Sequence, residues 1–267
     1  MKFFVVNRGD DTSAELAQRF RQQADAYGLA FDPKDPDIVL SIGGDGTMLQ
    51  AIHQFADKLE TTAFVGIHTG NLGFYTDWKP DEMDELLKRM VDTELASVIV
   101  EYPVAEMELI TETETRTLWA MNEFTVKGME ATLVARVHIN DEPFEMFRGD
   151  GIVISTPTGS TAYNKSLGGA IIHPSLPSIQ IAEIASINNR VYRTLGSSMI
   201  LPKHHYCDIY PQPGRKLLLF VDHLQYAHDK IKSMRFRVSD RTVRFARYRP
   251  FPFWNRVKEA FINEFEA

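Results

Sequence analysis

The chain has 267 residues, and its 36 aspartates and glutamates outnumber its 29 lysines and arginines, giving a net charge of −7. This acidic balance argues against a dedicated nucleic-acid partner, because such a partner needs a basic binding surface. The single cysteine, Cys207, excludes an internal disulfide framework and a cysteine-based zinc cluster. The apolar stretch at the N-terminus is too short for a signal peptide, and no apolar run is long enough to span a membrane. We therefore expect a cytoplasmic protein with a substantial core and no membrane partner.

Residues 1–95 alternate short apolar strands with helices. Strands are predicted at 3–6, 37–42 and 63–67, and helices at 12–27, 47–55 and 80–91. The first helix is expected to open with a capping box, because Thr12 is followed three residues later by Glu15. Apolar strands that alternate with helices form parallel sheets covered on both faces. The pattern over 1–95 therefore predicts a Rossmann-like α/β domain.

Residues 96–249 have the composition of β-structure. Stretches of strand-forming residues, separated by turn residues, occur at 105–110, 133–139, 151–155, 216–221 and 235–238. One helical interruption is expected near 178–186. Together these features predict a β-rich sandwich domain over 96–249.

The final segment, 250–267, is predicted to be an amphipathic helix that returns to the N-terminal domain. Its apolar residues recur every four positions, as on one face of a helix: Phe253, Val257, Phe261 and Phe265.

The stretch SIGGDGTML, from Ser41 to Leu49, places one carboxylate among three glycines. Glycines let a ligand lie against backbone N–H groups, yet Asp45 adds a negative charge to a loop that would suit an anion. A dinucleotide-binding fingerprint would need a third glycine in the residues after Gly46, and the loop follows the second strand instead of the first. The simplest alternative is a tight strand-to-helix turn capped by Asp45, although three glycines exceed what a cap requires.

Two further segments carry polar groups suited to a nucleotide. Residues 150–163 form a strand that leads into a loop dense in hydroxyl groups, which could bind phosphates, ribose hydroxyls or a base edge. This loop approaches a Walker-type motif at 159–166, but Asn164 stands in place of the second glycine. Asn122 and Glu123 set an amide beside a carboxylate at the end of an apolar run. A serine- and threonine-rich surface turn and two exposed polar residues are the respective alternatives.

Taken together, GGDGT at 43–47, Asn122-Glu123, and TPTGSTAY at 156–163 resemble the signature set of the NAD kinases. The loop HTGNLGF at 68–74 resembles that family's third-strand loop. The resemblance covers nearly the whole chain, and the chain most resembles the short bacterial enzymes of Gram-positive organisms. Since GGDG is shared with diacylglycerol and sphingosine kinases, the combination of motifs carries the specificity.

This resemblance implies transfer of the γ-phosphoryl group of ATP to the 2′-hydroxyl of the adenosine ribose of NAD, with ATP and NAD as substrates. It assigns Asp45 as the general base that accepts the hydroxyl proton. The phosphate-facing loop would consist of Gly43, Gly44, Gly46 and Thr47. A divalent metal, Mg²⁺, is expected to bridge the ATP phosphates, with phosphate and water as its main ligands. A homotetramer built through the β-rich domain is also expected.

The resemblance further implies a set of NAD-binding residues. Asn122 and Glu123 would bind the ribose and adenine region, and Tyr163 would stack on the adenine. The adenine pocket would be lined by Thr158, Thr161, Ala162 and Tyr163. The α/β side would contribute Gly46, Phe74 and Tyr75. The nicotinamide half would meet Asp150 and Ser166, with Arg148 neutralising a phosphate or holding Asp150, and with Ala185 and His223 at the rim.

Two other readings remain open for the same pocket. A catalytically silent NAD(P)-binding regulator would have no use for an acid beside phosphates, so Asp45 disfavours it. A lipid kinase would share GGDG but not the Asn122-Glu123 pair or Tyr163, and the chain has no basic amphipathic segment for a membrane surface. An ordinary loop histidine is the alternative for His223. No role is assigned to His204, His205 or Cys207.

Overall fold

A computed structural model describes residues 1–262 of the chain. The first part of the chain forms β1 (Lys2–Asn7), α1 (Asp11–Ala26), β2 (Ala30–Phe31), β3 (Ile38–Gly43), α2 (Asp45–Gln54), β4 (Ala63–His68) and α3 (Met83–Asp92). Single 3₁₀ turns occur at Ala56–Lys58, Pro80–Glu82 and Leu95–Val98.

The rest of the described chain is mostly strand. It forms β5 (Ile99–Thr111), β6 (Thr115–Ala120), β7 (Glu123–Gly128), β8 (Leu133–Ile139), β9 (Glu142–Gly149), β10 (Gly151–Ser155), a 3₁₀ turn (Thr158–Thr161), α4 (Tyr163–Ser166), β11 (Ser178–Ile184), β12 (Met199–Pro202), β13 (Tyr206–Pro211), β14 (Leu217–Val221), β15 (Leu224–His228), β16 (Ile231–Ala246) and α5 (Phe253–Phe261).

The first of two compact units contains Met1–Tyr102 together with the chain from Thr242 onward. Its strands run parallel in the order β2-β1-β3-β4, and the end of β16 adds a fifth parallel strand beside β4. Every residue of β3 and β4 is buried, because helices cover both faces of the sheet. The predicted α/β domain with a parallel sheet is confirmed.

The N-cap of helix α1 lies two residues earlier than the capping-box prediction required. Its N-cap is Asp10, whose carboxylate accepts a hydrogen bond from the backbone N–H of Ser13 at 3.0 Å. The predicted cap at Thr12 is wrong, because Asp10 satisfies the free N–H of the first turn before Thr12 is reached.

The second unit, Pro103–Arg241, is a sandwich of two sheets. One sheet is antiparallel in the order β12-β11-β10-β7-β14-β15, and the other contains β16, β13, β8 and β9. Phe124 of β7 and Phe236 of β16 meet in the core, with ring centroids 5.5 Å apart. The two inner faces therefore share one apolar core, which confirms the β-rich sandwich.

The helix predicted near 178–186 is wrong, because Ser178–Ile184 is strand β11, paired with β10 and β12. Ile179 and Ile181 enter the core of the sandwich, while the amide of Gln180 bonds the backbone of Ala170. Isoleucines at alternate positions are a period-two pattern, which is the signal of a strand.

The unit boundaries fall at 102/103 and 241/242, inside strands β5 and β16, and not at the predicted 95/96 and 249/250. Helix α5 buries Phe253, Arg256 and Val257, and Phe265 lies outside the described residues. Within residues 1–262, no helix combines the length and apolar character needed to cross a membrane.

Candidate functional site

Asp45 stands at the carboxyl end of β3, a central strand of the parallel sheet, where α/β proteins commonly bind ligands. Strand β3 ends at Gly43, Gly44 is the N-cap of α2, and Asp45 is the first residue of the helix. Since Gly44 occupies the capping position, the alternative in which Asp45 caps the helix is wrong.

The Asp45 carboxylate is held by the loop that follows β4. Its Oδ2 accepts the backbone N–H of Phe74 at 2.8 Å, and its Oδ1 accepts that of Tyr75 at 3.0 Å. Gly73 makes this approach possible, because a Cβ at that position would lie 2.1 Å from Asp45 Oδ1. The acid is therefore fixed by backbone groups 29 and 30 residues further along the chain.

Phe74 and Tyr75 were predicted to contribute to the pocket, and the described contacts show what else their side chains do. The Tyr75 ring is buried and stacks on Phe245, with centroids 5.6 Å apart. The Phe74 ring packs on Phe261 and Phe253 of α5 at 5.8 and 6.2 Å. These rings anchor the peptide groups that hold Asp45.

Burial raises the pKa of Asp45, and the hydrogen bonds from the Phe74 and Tyr75 amides partly oppose this rise. A carboxylate with a raised pKa is a stronger base than an exposed one. Each of its oxygens accepts one amide and keeps lone-pair capacity for another donor. The group can therefore accept a proton from a hydroxyl placed against it.

The three glycines beside Asp45 differ in what the fold requires of them. A Cβ at Gly43 would lie 2.2 Å from Thr47 Oγ1, so packing demands glycine there. A Cβ at Gly44 or Gly46 would meet no atom within 4 Å, and neither residue has a positive φ. Glycine in a helical turn is less favourable than alanine. Gly44 suits the N-cap position of α2, where alanine is unfavourable. The fold itself does not require Gly46 inside the helix, whereas close approach of a ligand to the backbone would.

Arg256 of α5 braces the loop that holds Asp45. Its Nη1 donates to the carbonyls of Gly73 and Thr76 at 2.6 and 2.7 Å, and its Nη2 donates to Asp77 Oδ1 at 2.9 Å. Arg247 donates to the other oxygen of Asp77 at 2.5 Å. Neither arginine was predicted as a site residue, although Arg256 lies on the apolar face of α5, directly before Val257, where a charged residue is unusual.

In the second unit, Asn122 lies between the end of β6 and the start of β7, and Glu123 is the first residue of β7. The Asp222 carboxylate accepts the backbone N–H groups of this segment: Oδ2 from Met121 at 2.9 Å, and Oδ1 from Asn122 and Glu123 at 2.7 and 3.1 Å. Asp222 was not among the predicted site residues.

The predicted adenine loop packs against the same segment. The Thr158 hydroxyl donates to the Met121 carbonyl at 2.9 Å, so this side chain holds the segment. A Cβ at Gly159 would lie 2.0 Å from the carbonyl oxygen of Asn122. Thr161, Ala162 and Tyr163 are partly exposed and follow directly. The structure thus brings TPTGSTAY and the Asn122-Glu123 pair together.

The pKa of the Glu123 carboxyl is strongly shifted by its surroundings. Burial raises its pKa to about 8, and the negative charge of Asp222 adds to the rise. Its Oε2 is buried and has no hydrogen-bond partner within the described chain. At neutral pH this carboxyl is mostly protonated, so it offers an O–H donor as well as an acceptor.

Arg148, Asp150 and Ala185 occupy a different place in the second unit, whereas His223 lies in the turn between β14 and β15, beside Asp222. Register places Glu123 opposite Ser155, at one end of β10, whereas Asp150 precedes Gly151 at the other end, about 14 Å away. Ala185, with φ +47°, follows β11 beside that second end, and the Arg148 guanidinium lies 5.2 Å from the Tyr192 ring. Asp150, Ser166 and His223 are exposed. The described contacts do not join Arg148 to Asp150.

Tyr163 lies over the sheet between these two groups. Its ring faces the Lys127 ammonium at 5.2 Å, and Lys127 pairs with Gly151. A partly exposed aromatic face beside a cation suits a stacked base with a phosphate nearby. None of the predicted site residues lines a separate cavity of about 1070 Å³ in the same unit, so we assign the site by its chemistry instead of by cavity size.

Comparison with known proteins identifies the family of the chain. The ATP-NAD kinase N-terminal domain matches residues 5–95, and the ATP-NAD kinase C-terminal domain matches residues 121–248. The chain is 53% identical over 266 residues to NAD kinase 1 of Halalkalibacterium halodurans, covering 99% of this chain and 100% of the relative. The chain belongs to the ATP-NAD kinase family.

Two solved structures share the fold. Yeast NADH kinase complexed with NADH superposes with a TM-score of 0.83 at 18% identity, covering 99% of this chain and 89% of that one. An NAD kinase from Archaeoglobus fulgidus in complex with ATP gives 0.77 at 19% identity, covering 97% and 99%. At these identities the likeness concerns the fold alone.

Proposed function

We propose that the chain transfers the γ-phosphoryl group of ATP to the 2′-hydroxyl of the adenosine ribose of NAD, giving NADP and ADP. Membership of the ATP-NAD kinase family supports this proposal, as does similarity over nearly the whole chain to an enzyme named NAD kinase. The observation that carries the mechanism is the Asp45 carboxylate, which is fixed by two amides and is followed by Gly46, a glycine that the fold does not itself require.

In this reaction Asp45 is the general base. The 2′-hydroxyl oxygen forms a bond to the γ-phosphorus, and the bond from that phosphorus to the β–γ bridging oxygen breaks. The hydroxyl proton passes to the Asp45 carboxylate, and ADP leaves with the electron pair of the broken bond. Phosphoryl transfer depends mainly on positioning and charge neutralisation, so a base held rigidly by backbone amides suits it.

The second unit supplies the groups that bind NAD. Asn122 and Glu123 meet the ribose and adenine region, where a protonated Glu123 donates to an acceptor and its other oxygen accepts a hydroxyl. Tyr163 stacks on the adenine. Thr158 acts indirectly, because its hydroxyl donates to the Met121 carbonyl beside this pair.

A divalent cation, Mg²⁺, is part of the proposal. It neutralises charge on the ATP phosphates when bound. Among residues 1–262 no three His, Cys, Asp or Glu side chains lie together as a protein-held metal site would require. Magnesium in nucleotide enzymes keeps several waters, so we expect phosphates and water to be the main ligands of the ion.

We also propose that the chain works in the cytoplasm as a homotetramer assembled through the β-rich unit. Strand β9 forms an edge of its sheet and exposes Phe144 and Met146. Exposed apolar side chains on a sheet edge favour pairing with another copy. Light scattering at micromolar concentration is expected to give a mass near four chains, and a fully active monodisperse monomer would exclude the tetramer.

The experiment that tests the proposed function supplies purified protein with ATP, Mg²⁺ and NAD and measures NADP with an NADP-specific dehydrogenase. We expect NADP to form only when ATP is present. Binding of NAD without turnover would instead identify a silent regulator. Phosphorylation of a lipid but not of NAD would identify a lipid kinase.

A further inference from the structure

The segment that carries Asn122 and Glu123 is held from both sides by side chains that do not belong to it. On one side, the two oxygens of Asp222 accept three consecutive backbone N–H groups, those of Met121, Asn122 and Glu123. Three amides on one carboxylate are a strong anchor, because each bond is charge-assisted.

On the other side, threonine groups bind the carbonyls of the same segment. The Thr156 hydroxyl donates to the Met121 carbonyl at 2.6 Å, and the Thr156 N–H donates to the Asn122 carbonyl at 2.8 Å. With its N–H groups on Asp222 and its carbonyls on the threonines, the segment has little freedom to rotate its peptide planes. The directions of the Asn122 and Glu123 side chains follow from that backbone.

Asp222 occupies a position in which its side chain is not needed for the turn. It is the first residue of the two-residue turn between β14 and β15, where Val221 pairs with Leu224, and its φ is +53°. Glycine adopts this left-handed conformation at no steric cost, and asparagine adopts it about as well as aspartate. The turn can therefore be kept while the carboxylate is removed.

The charge of Asp222 also acts on Glu123. Beyond the effect of burial, this carboxylate raises the pKa of Glu123, which reaches about 8. Asp222 and the exposed His223 lie in the same turn, and Ser155 faces Glu123 from β10. Asp222 is thus the charged neighbour that favours the protonated form of Glu123.

We propose that Asp222 is a positioning residue for nucleotide binding, which presents the Asn122-Glu123 pair and maintains Glu123 as a hydrogen-bond donor to the nucleotide. The inference rests on the proposed function, because it assumes that this pair binds NAD. Asp222 itself acts through the backbone amides and through its charge.

The test compares Asp222→Gly and Asp222→Asn with the wild type. Both variants keep the left-handed turn. Asp222→Gly removes all three anchors, so we expect the KM for NAD to rise more than tenfold and kcat/KM to fall about 10²-fold, the scale of a misplaced binding group. Asp222→Asn keeps one acceptor oxygen but places an NH₂ group against an amide N–H, so we expect an intermediate loss of about tenfold.

A matched control is Asp141→Gly. Asp141 has φ +68°, lies in the two-residue turn between β8 and β9, and binds Tyr206 and Arg235 through its carboxylate. It makes no described contact with residues 121–123. If the effect of the Asp222 variants depends on the contacts of Asp222 and not on the loss of a turn carboxylate as such, the KM for NAD in Asp141→Gly is expected to stay within about twofold of wild type.

A pH series separates positioning from mere stabilisation. NAD binding, measured by calorimetry from pH 6 to 9, is expected to weaken in the wild type as pH rises through about 8, because Glu123 then loses its proton. In Asp222→Asn the midpoint is expected to move to lower pH, since the neighbouring negative charge is gone. A purely structural Asp222 would leave the midpoint in place.

The kinetic and pH measurements together distinguish the possible outcomes. Raised KM with a shifted midpoint supports the proposal. Unchanged KM and midpoint in Asp222→Asn would overturn it, and this variant decides the matter even if Asp222→Gly does not fold. If the wild type itself makes no NADP, the proposed function fails. If the wild type turns over and the variants match it, only the role of Asp222 fails.

Discussion

Both units position their functional groups with hydrogen bonds from backbone N–H groups to a carboxylate, but the roles of the two partners are reversed. In the α/β unit, the functional group is a carboxylate, Asp45, and the support is a pair of backbone amides from Phe74 and Tyr75. In the β-rich unit, the functional segment supplies the amides, and the support is the Asp222 carboxylate. The comparison shows that positioning in this protein depends on bonds between a carboxylate and backbone N–H groups, which are short and resist rotation.

The largest expected effect concerns Asp45→Asn. Removing the proton acceptor is expected to lower kcat by about 10²–10⁴-fold, the usual contribution of a general base. NAD affinity is expected to stay similar or to improve, because a negative charge near phosphates is lost. Steady-state kinetics and calorimetry on the same preparation check both values.

The structure sharpens this test. Because both Asp45 oxygens accept amides, the NH₂ group of asparagine must face a backbone N–H, which is expected to cost about 1–3 kcal/mol of stability. Thermal unfolding of the variant measures this cost. Near-normal turnover in a folded Asp45→Asn protein would contradict the assignment of the base.

The second largest effect is expected for Arg256→Lys. This change weakens the hydrogen bonds from α5 to the loop that holds Asp45. Lysine keeps the charge but cannot donate to Gly73, Thr76 and Asp77 in the fixed geometry of a guanidinium. We expect kcat to fall roughly 10- to 10²-fold, with little change in the KM for NAD. Lys258→Met, on the exposed side of α5, is the control. A kcat equal to that of the control would show that Arg256 only stabilises α5.

Tyr163→Ala tests the β-rich unit. Loss of stacking on the adenine is expected to weaken NAD binding by about 1–3 kcal/mol, and Tyr163→Phe is expected to lose less because the ring face remains. Calorimetry on both variants checks this order. Equal affinity of Tyr163→Ala and wild type would show that the ring serves only to pack against Lys127.

The smallest expected effect on the fold comes from the glycines of the α/β unit. Gly46→Ala is expected to keep or raise stability by up to about 1 kcal/mol, since alanine favours a helix and meets open space. Its activity is nevertheless expected to fall, because the new methyl group stands where the ligand approaches.

Gly43→Ala is expected to lower stability, since its Cβ would collide with Thr47. Thermal melts paired with kinetics distinguish the two, and full activity in Gly46→Ala would remove the argument for close approach.

Local patterns in the sequence predicted the groups that carry the chemistry, but not the groups that support them. Asp45 stood out because its glycine neighbours are adjacent in the chain. Arg256 and Asp222 could not be found in this way, because 183 residues separate Arg256 from Gly73 and 100 separate Asp222 from Asn122. Bonds over such separations arise only when the tertiary fold forms.

The fold errors have a similar origin. The period-two pattern of Ser178–Ile184 was available, but the helix prediction for 178–186 did not use it. The two compact units divide inside β5 and β16, and each of these strands continues through the division, so local patterns do not mark these positions. The broad α/β and β-rich classes followed correctly from strand and helix periodicity, which is a local property.

The return of the chain to the α/β unit has a consequence for the order of events during synthesis. The β-rich unit is continuous in sequence, so it can fold once Arg241 has left the ribosome. The α/β unit is completed later, because its fifth strand and the helix that bears Arg256 are synthesised after the whole of the β-rich unit. The bonds from Arg256 to the loop that holds Asp45 therefore form only after the β-rich unit has been translated, so the nascent chain acquires its braced catalytic acid late.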